Sequence, residues 1–467
     1  MAHNRIHISP SEWILVALLV IICSAVSFSV IDDGHDWRGD FAMYVEQGQA
    51  LLNGTTNELY ELNRYCMDKS ETNLGPYLYQ PGFPILLSII LLLFGLNFYA
   101  MKGLCAVALA FSIPLIFKLT RPFFRSAFYP FVIVTSVVFH ASYITFTDSV
   151  LSDLPFLFFS LLALFLVVSG DSWRNRLLLG FTMFFSYLIR DIGIVLLASL
   201  FVFDLHRWMT TQKPKLIEKL STYVLFIVLF IVGSFIRPTG QENHIAALFT
   251  EVSWETVSGN MEYYRVLMTR YFYLGDHPSL LFYPMLTLML FGAVSIFRKA
   301  PHLVFYVILT LVILFIWPYK QGVRFLFPIL PFLTLFAVKG LEMTIPSNFR
   351  NWTKIAVASW LLSATYFSSS DIIEYAKRDT NLCYTDEMKS VYAFVSSEVP
   401  QDEVVVHYYP RVFRLFTGRN AVRISQYEFD LSDEYRYYQN STAYVDPNII
   451  AKYQVVFETE NEILLKK

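Results

Sequence analysis

Long apolar runs, separated by polar segments, constrain this chain more than any other feature. The first run is Trp13–Ile31, and a second stretch, Pro81–Thr120, is too long for one crossing and is broken at Gly95-Leu96-Asn97. Nine shorter runs follow between Ala127 and Phe367. A helix needs roughly 20 apolar residues to cross a bilayer, so several of these runs would form tilted or partly buried helices. The pattern predicts a polytopic α-helical membrane protein.

The composition supports this prediction and excludes other classes. Only 16% of the 467 residues are charged and 55% are hydrophobic, whereas ordinary soluble domains carry about 25% charged residues. A net charge of −2 leaves no basic excess to neutralise phosphates, so no nucleic-acid partner is expected. Four cysteines in the whole chain are too few for a disulfide scaffold.

Lysines and arginines in the short loops predict the orientation. If Pro81–Thr120 crosses once, with Pro81–Phe94 as a short helix entering from outside, five basic loops face the inside. Two crossings would put all five outside. The single-crossing arrangement has about eleven transmembrane helices, the N-terminus inside and the C-terminus outside. The five loops carry Lys118, Arg121 and Arg125; Arg174 and Arg176; Arg207, Lys213, Lys215 and Lys219; Arg298 and Lys299; and Lys339, Arg350 and Lys354.

The single-crossing arrangement also places several polar segments at the outer face of the membrane. They are a first outer loop (32–80), Asp148–Asp153, Arg190–Asp191, a long outer loop (237–278), Lys320–Arg324 and everything after Ser368. We therefore divide the chain into a transmembrane module, 1–370, and an outer domain, 371–467.

The outer domain is predicted to be a small α/β unit. Thr385–Val399 is typical of an amphipathic helix, and Pro410–Thr417 of a short helix that ends at Gly418. Glu403–His407 is typical of a strand, and Tyr453–Thr459 and Glu462–Leu465 of a strand pair.

The first outer loop contains an amphipathic helix suited to the membrane surface. The helix opens at Asp40 and ends at Asn53-Gly54, and Phe41, Tyr44 and other apolar residues follow at helical spacing. A carboxylate at a helix start is favoured by the helix dipole, so Asp40 could be no more than a cap. Alternatively, it is a general base held at the membrane surface.

Five short motifs carry a family resemblance, in this order: Asp40-x-x-x-Tyr44, Ala50-Leu-Leu-x-Gly54, Tyr79-x-Pro81-Gly82-x-Pro84, Ser152-Asp153-Leu-Pro-Phe, and Gly322-Val-Arg324-Phe-Leu-Phe-Pro328-Ile-Leu-Pro331. Together they resemble the GT-C superfamily of membrane glycosyltransferases, in the bacterial branch related to aminoarabinose transferases and protein O-mannosyltransferases. The similarity extends over roughly residues 12–335. It implies a GT-C-like fold and transfer of a sugar from a polyprenyl-phosphate donor to a glycan, lipid or protein acceptor at the outer face of a bacterial inner membrane.

That chemistry assigns roles to individual residues. Asp40 is the predicted base, with inversion at the anomeric carbon, and Asp153 would hold the sugar or the acceptor. Alternatively, Asp153 does no more than begin a helix, and Asp148 competes with it for the role in substrate binding. No cofactor is predicted, although a divalent ion between Asp40 and Asp153 is left open.

Cations at the outer helix ends are predicted to bind the donor phosphate. Arg190, Lys320 and Arg324 have this role, although Arg190 could instead pair with Asp191. For Arg237 we favour contact with lipid headgroups. Tyr44, Tyr79 and Asp148 complete the predicted substrate-binding set.

Three further features leave alternatives open. The aromatic residues of the long outer loop could form an interfacial belt or a gate over the acceptor site. The segment Tyr408–Arg419 could shape acceptor choice or act as a structural cap, and Cys66 and Cys383 could form a disulfide.

Two other functions compete with sugar transfer. One is a transporter or flippase of lipid-linked saccharides, and the other is a surface-polysaccharide polymerase or ligase. The clustering of polar residues at one face disfavours a transporter, whose polar site lies near mid-membrane.

Overall fold

The computed structural model describes residues 8–36, 39–72, 75–210, 216–236, 252–273, 278–378 and 381–467. Arg237, Lys213, Lys215 and the parts 237–251 and 274–277 of the long outer loop lie outside these residues. The helices up to residue 376 are α1 (Pro10–Val30), α2 (Gly39–Asn53), α3 (Thr56–Asp68), α4 (Gly82–Phe94), α5 (Phe98–Thr120), α6 (Phe128–Val138), α7 (Ala141–Thr145), α8 (Asp153–Ser169), α9 (Trp173–Ile189), α10 (Ile194–Thr210), α11 (Leu216–Ile236), α12 (Trp254–Tyr271), α13 (Pro278–Phe297), α14 (Pro301–Ile316), α15 (Leu330–Thr344) and α16 (Arg350–Ala376).

These helices form an apolar bundle typical of a membrane protein. Within the described ranges, Pro10–Val30, Phe98–Phe123 and Asp191–Thr210 are each long and apolar enough to cross a bilayer. A fourth candidate is the bent pair Phe128–Val138 and Ala141–Asp148, which meet at 49°. Several other apolar helices are shorter, as expected for tilted or buried segments. The predicted helical membrane protein is confirmed, while the eleven crossings and their orientation stay predictions.

The break predicted inside Pro81–Thr120 is confirmed. Helix α4 ends at Gly95, and Asn97 caps α5 by accepting a hydrogen bond from the backbone N–H of Ala100 (2.9 Å). The last residues of α4, Leu92 and Leu93, are highly exposed. Exposed apolar side chains at this helix end suit a lipid environment. With 13 residues, α4 is shorter than the roughly 20 residues that a helix needs to cross a bilayer on its own.

The C-terminal segment forms the predicted α/β unit. Helices α17 (Asp386–Glu398), α18 (Pro410–Thr417), α19 (Gln426–Leu431) and α20 (Pro447–Lys452) accompany a five-stranded sheet. Its strands are β1 (Val404–Val406), β2 (Asn420–Val422), β3 (Tyr437–Ser441), β4 (Gln454–Glu458) and β5 (Glu462–Lys466), in the order β2-β1-β3-β5-β4. Strand β1 is parallel to β2 and β3, and β5 is antiparallel to β3 and β4.

Most local predictions for this unit are confirmed. Thr385 caps α17, Gly418 ends α18 in the left-handed conformation (φ 68°), and β4 pairs with β5. The sequence analysis missed β2 and β3, because neither has enough alternating apolar residues to stand out. Helix α16 continues to Ala376 and so runs across position 370; the division into two domains stays a prediction.

A buried ion pair joins this unit to the first outer loop. Arg414 on α18 donates to both carboxylate oxygens of Glu46 on α2, at 2.7 and 2.6 Å, and also donates to the side-chain oxygen of Asn63 on α3. Only 6% of the Arg414 side chain and 8% of the Glu46 side chain are exposed. Two-point pairing of this kind fixes orientation as well as distance. Helix α2 is therefore held between the bundle and the C-terminal unit.

Breaking this pair should destabilise the protein strongly. Arg414→Met leaves the Glu46 carboxylate buried without its partner, which typically costs about 3–5 kcal/mol. We expect a clear drop in the Tm of the detergent-solubilised protein. The double variant Glu46→Leu/Arg414→Met should recover part of the loss, because no charge then stays buried. Arg378→Ala breaks the exposed Arg378–Glu374 pair and serves as a control with little effect. An unchanged Tm in Arg414→Met would contradict the assignment.

Candidate active site

Asp40 lies in the first turn of α2, at the polar end of the bundle. Buried Phe41 follows it, and the His35 ring stacks on Phe41 with centroids 3.9 Å apart. The Nε2 atom of His35 accepts a hydrogen bond from the backbone N–H of Val150 at 3.1 Å. These contacts join the segment before α2 to the loop that precedes Asp153. The two segments are expected to meet if both lie at the same face of the membrane.

The two carboxylate oxygens of Asp40 have different partners. The Tyr79 hydroxyl donates to Oδ1 at 2.6 Å, and both terminal nitrogens of Arg324 lie 3.4 Å from Oδ2. Burial and the nearby Asp40 charge raise the pKa of Tyr79 well above its ordinary value. Tyr79 therefore keeps its proton and donates a hydrogen bond to Asp40 throughout the physiological pH range.

A cavity of about 320 Å³ opens beside this carboxylate. It is lined by Gly39, Asp40, Phe146, Lys320, Gln321 and Arg324. One wall of the cavity is formed by the short 3₁₀ helix Val323–Leu326 and the residues just before it. One carboxylate and two cations thus line the same space, which is large enough for a phosphate and part of a sugar. The predicted residues Asp40, Lys320 and Arg324 are brought together here.

The long outer loop supports this wall through α12. The hydroxyl of Tyr263 accepts a hydrogen bond from the backbone N–H of Gly322 at 3.0 Å, and the Lys320 ammonium lies 5.4 Å from the centre of the Tyr263 ring. An aromatic face attracts a cation at this distance. The aromatic pattern seen in the sequence therefore includes at least one residue that shapes the cavity.

Asp153 and Arg190 form a second ion pair near the cavity. Asp153 begins α8, is only 2% exposed, and accepts a hydrogen bond from the Arg190 guanidinium. The guanidinium carbon of Arg190 lies 4.4 Å from the centre of the Phe325 ring, and that of Arg324 lies 5.8 Å from the same ring. Asp191 instead accepts from the Gln80 side chain. Arg190 thus pairs with Asp153, a partner that the sequence analysis did not consider, and its predicted binding of the donor phosphate stays a prediction.

Tyr44 lies behind the cavity rather than along it. Its ring stacks on Tyr79 with centroids 4.6 Å apart, and its hydroxyl is 3.1 Å from the Ser152 hydroxyl. Tyr44 is 7% exposed. In this position it supports Tyr79 and the start of α8; contact with a substrate stays a prediction.

Asp148 belongs to a separate buried cluster. Its carboxylate lies 2.7 Å from the Lys102 ammonium, which is fully buried in α5, and accepts a hydrogen bond from the Tyr375 hydroxyl at 3.1 Å. Lys102 also pairs with Asp32 at the end of α1. The cluster joins α5, α16 and the start of the first outer loop, so these contacts give Asp148 a structural role; its predicted role in substrate binding stays a prediction.

Several residues that build the site were missed by the sequence analysis. Lys102 had a usable signal, because an ionisable residue inside an apolar run is a functional or structural site by default. Gln47, Glu46 and Gln321 are ordinary polar residues of an amphipathic helix or loop. Nothing in their spacing distinguishes them from solvated residues. The partners of Gln47 and Glu46, which are Tyr79 and Arg414, lie far away along the chain.

Cys66 and Cys383 have different surroundings and form no disulfide. The Cys66 sulfur lies 3.6 Å from an Arg414 nitrogen, whereas the Cys383 thiol donates to the His35 carbonyl oxygen at 2.9 Å. Burial raises the pKa of both thiols. Both cysteines nevertheless lie on contacts between the first outer loop and the C-terminal unit.

A divalent ion between Asp40 and Asp153 would compete with existing partners. Each of the two carboxylates is paired with an arginine. In the part of the chain that the structure describes, no group of three or more His, Cys, Asp and Glu side chains could hold a metal ion.

No family model and no curated protein sequence matches the chain, but solved structures do. ArnT from Cupriavidus metallidurans bound to undecaprenyl phosphate superposes over 98% of both chains, with a TM-score of 0.58 and 11% identity. The chain has the GT-C fold. The oligosaccharyltransferase AglB from Archaeoglobus fulgidus, in complex with an inhibitory peptide and a dolichol-phosphate, matches 93% of this chain and 70% of its own, with a TM-score of 0.56 and 10% identity. The GT-C fold suggested by the motifs is thereby confirmed.

A stability measurement can separate the two roles of Asp148. If the residue is structural, Asp148→Asn removes one charged partner of a fully buried lysine and should lower Tm by several degrees. Adding Lys102→Met should restore part of the loss, because the lysine charge is then gone. Thermal unfolding in detergent checks both variants. An unchanged Tm, together with a higher KM for the donor, would instead favour substrate binding.

Proposed function

We propose that this chain transfers a sugar from a polyprenyl-phosphate-linked donor to a hydroxyl or amine acceptor of a glycan, lipid or protein. The reaction would take place at the membrane face that carries the C-terminal unit. We further propose that this face is the outer face of a bacterial inner membrane, with the N-terminus of the chain inside. The observation that carries the proposal is one cavity in which the Asp40 carboxylate faces Lys320 and Arg324.

The charges of the cavity match the charges of such a donor. A lipid phosphate is anionic and lies at the membrane interface, where Arg324 can bind two of its oxygens through its planar fork. Lys320 adds a second positive charge at the same wall. Neutralising the phosphate makes it a better leaving group, because negative charge develops on it in the transition state.

The similarity to ArnT and AglB supports the same donor class. Those structures hold undecaprenyl phosphate and a dolichol-phosphate respectively. Both ligands are long isoprenoid chains that end in a phosphate. An apolar helical bundle with a cationic cavity suits this kind of molecule.

In the proposed step, Oδ2 of Asp40 takes a proton from the acceptor. The acceptor oxygen or nitrogen attacks the anomeric carbon, and the bond from that carbon to the phosphate oxygen breaks. The electron pair leaves on the polyprenyl phosphate, next to Arg324 and Lys320. A single displacement of this kind inverts the anomeric centre.

Asp153 and Arg190 are proposed to orient the reacting sugar or acceptor. Their ion pair is held against Phe325, the neighbour of Arg324. The Arg190 side chain is 17% exposed, so Arg190 is proposed to contact a bound molecule while it stays paired with Asp153. The pair would thus add polar contacts without adding a net charge to the cavity.

The direct test is transfer of labelled sugar from polyprenyl-phosphate donors by the purified protein in membranes or detergent. Asp40→Asn keeps the size of the side chain but removes the base, so turnover should fall about 100-fold or more, with Tm nearly unchanged. Asp33→Asn, on an exposed residue of the same loop, is the matched control and should keep full activity. Equal turnover in wild type and Asp40→Asn would refute the role of Asp40.

Transport can be separated from transfer in the same preparation. If labelled donor crosses the bilayer of a proteoliposome without loss of its sugar, and no product forms with any acceptor, the chain is a flippase rather than a transferase.

Arg324 should control donor binding. Arg324→Gln removes the bidentate phosphate contact, and we expect the donor KM to rise about tenfold or more. Arg324→Lys should recover only part of the affinity, because a single ammonium lacks the planar fork. Competition by sugar-free polyprenyl phosphate measures the same contact in the absence of turnover. A donor KM unchanged in both variants would remove Arg324 from the phosphate site.

A further inference from the structure

Tyr79 is held along its whole length by one face of α2. The side-chain amide of Gln47 donates to the Tyr79 carbonyl oxygen and accepts from the Tyr79 backbone N–H, both at 2.9 Å. The Tyr44 ring stacks on the Tyr79 ring, and the Asp40 carboxylate accepts from its hydroxyl. Residues 40, 44 and 47 follow at i, i+4 and i+7 and therefore share one face of the helix.

Gly75 lies close to the Tyr79 hydroxyl and to Arg411. If residue 75 had a Cβ atom, that atom would lie 3.5 Å from the Tyr79 hydroxyl oxygen and 3.4 Å from an Arg411 nitrogen. Gly75 has φ +99°, a conformation that residues with a Cβ rarely adopt. Arg411 in turn donates to the Pro76 carbonyl oxygen at 2.7 Å. The turn that carries Tyr79 is thereby fixed against the C-terminal unit.

We infer that Tyr79 is a positioning residue that acts through Asp40, rather than a residue that binds the substrate. Its hydroxyl holds Oδ1, and this sets the plane of a carboxylate that could otherwise rotate about its Cβ–Cγ bond. Oδ2 is then directed at the cavity, toward Arg324 and the place of the acceptor. Gln47 helps to orient Asp40 indirectly, because it holds the backbone of Tyr79.

This inference rests on the proposed function, because it assigns Tyr79 a role only if Asp40 is the base. It changes the earlier expectation for Tyr79 from substrate binding to orientation of the base. Catalytic groups need to be held close to the productive geometry, and a small misplacement lowers the rate of the chemical step. The effect should therefore appear in kcat rather than in the donor KM.

Tyr79→Phe tests the hydroxyl alone, because the ring stack and both backbone hydrogen bonds to Gln47 can remain. We expect kcat to fall about 10- to 100-fold, as is typical when a hydrogen bond to a charged group is lost, with the donor KM and Tm unchanged. Tyr99→Phe, on an exposed tyrosine of α5, is the matched control and should behave as wild type. A donor KM that rises with kcat unchanged would mean that Tyr79 binds the substrate, and would overturn the inference.

Gln47→Leu adds a test of the path through Tyr79. It should also lower kcat, and the double variant Gln47→Leu/Tyr79→Phe should be no slower than Tyr79→Phe alone, because both changes act on the same hydrogen bond. If the two substitutions lowered kcat by factors that multiply in the double variant, Gln47 and Tyr79 would act independently, and Gln47 would not act through Tyr79. If the wild-type protein forms no transfer product, the proposed function fails. If Asp40→Asn keeps full turnover, the role of Asp40 as base fails together with this inference. If Asp40→Asn is inactive while Tyr79→Phe keeps full kcat, only this inference fails.

Discussion

Pairing of carboxylates with guanidinium groups, at one end of an apolar helical bundle, is the interaction on which this structure depends. A buried charge without a partner is costly, so each such group must find an opposite charge when the chain folds. Asp153 pairs with Arg190, Asp40 with Arg324, and Glu46 with Arg414. These pairs bring five separate parts of the sequence to one end of the bundle, and the Asp40–Arg324 pair lines the cavity.

Helix α2 is the element that connects these pairs. Its first turn carries Asp40, its middle carries the residues that hold Tyr79, and Glu46 attaches it to the C-terminal unit. Because α2 contacts the bundle, the turn around Gly75 and α18 together, its position is determined by all three. The C-terminal unit therefore stabilises the geometry of the proposed base without itself contributing a lining residue to the described cavity.

The sequence analysis predicted the class of fold and named Asp40, Lys320 and Arg324, which line one cavity in the structure. Apolar runs, the break at Gly95-Leu96-Asn97 and the stop at Gly418 depend on residues close together along the chain. Lys320 and Arg324 were singled out because charges at the ends of apolar runs are unusual, and Asp40 because it opens an amphipathic helix and belongs to one of the family motifs. Gln47 and Phe325 were not, because a glutamine or a phenylalanine in such a segment is unremarkable until its neighbours are known.

The amino-acid sequence by itself therefore determined that the chain is a helical membrane protein whose polar residues collect at one end, because hydropathy and helix signals act over a few turns. Only the tertiary structure decided which charges pair. Asp148 joined Lys102 and Arg190 joined Asp153, and Tyr79 lay against Asp40 instead of in the cavity. The paired residues are 37 to 368 residues apart along the chain, and their choice follows from how the helices pack, which no local pattern specifies.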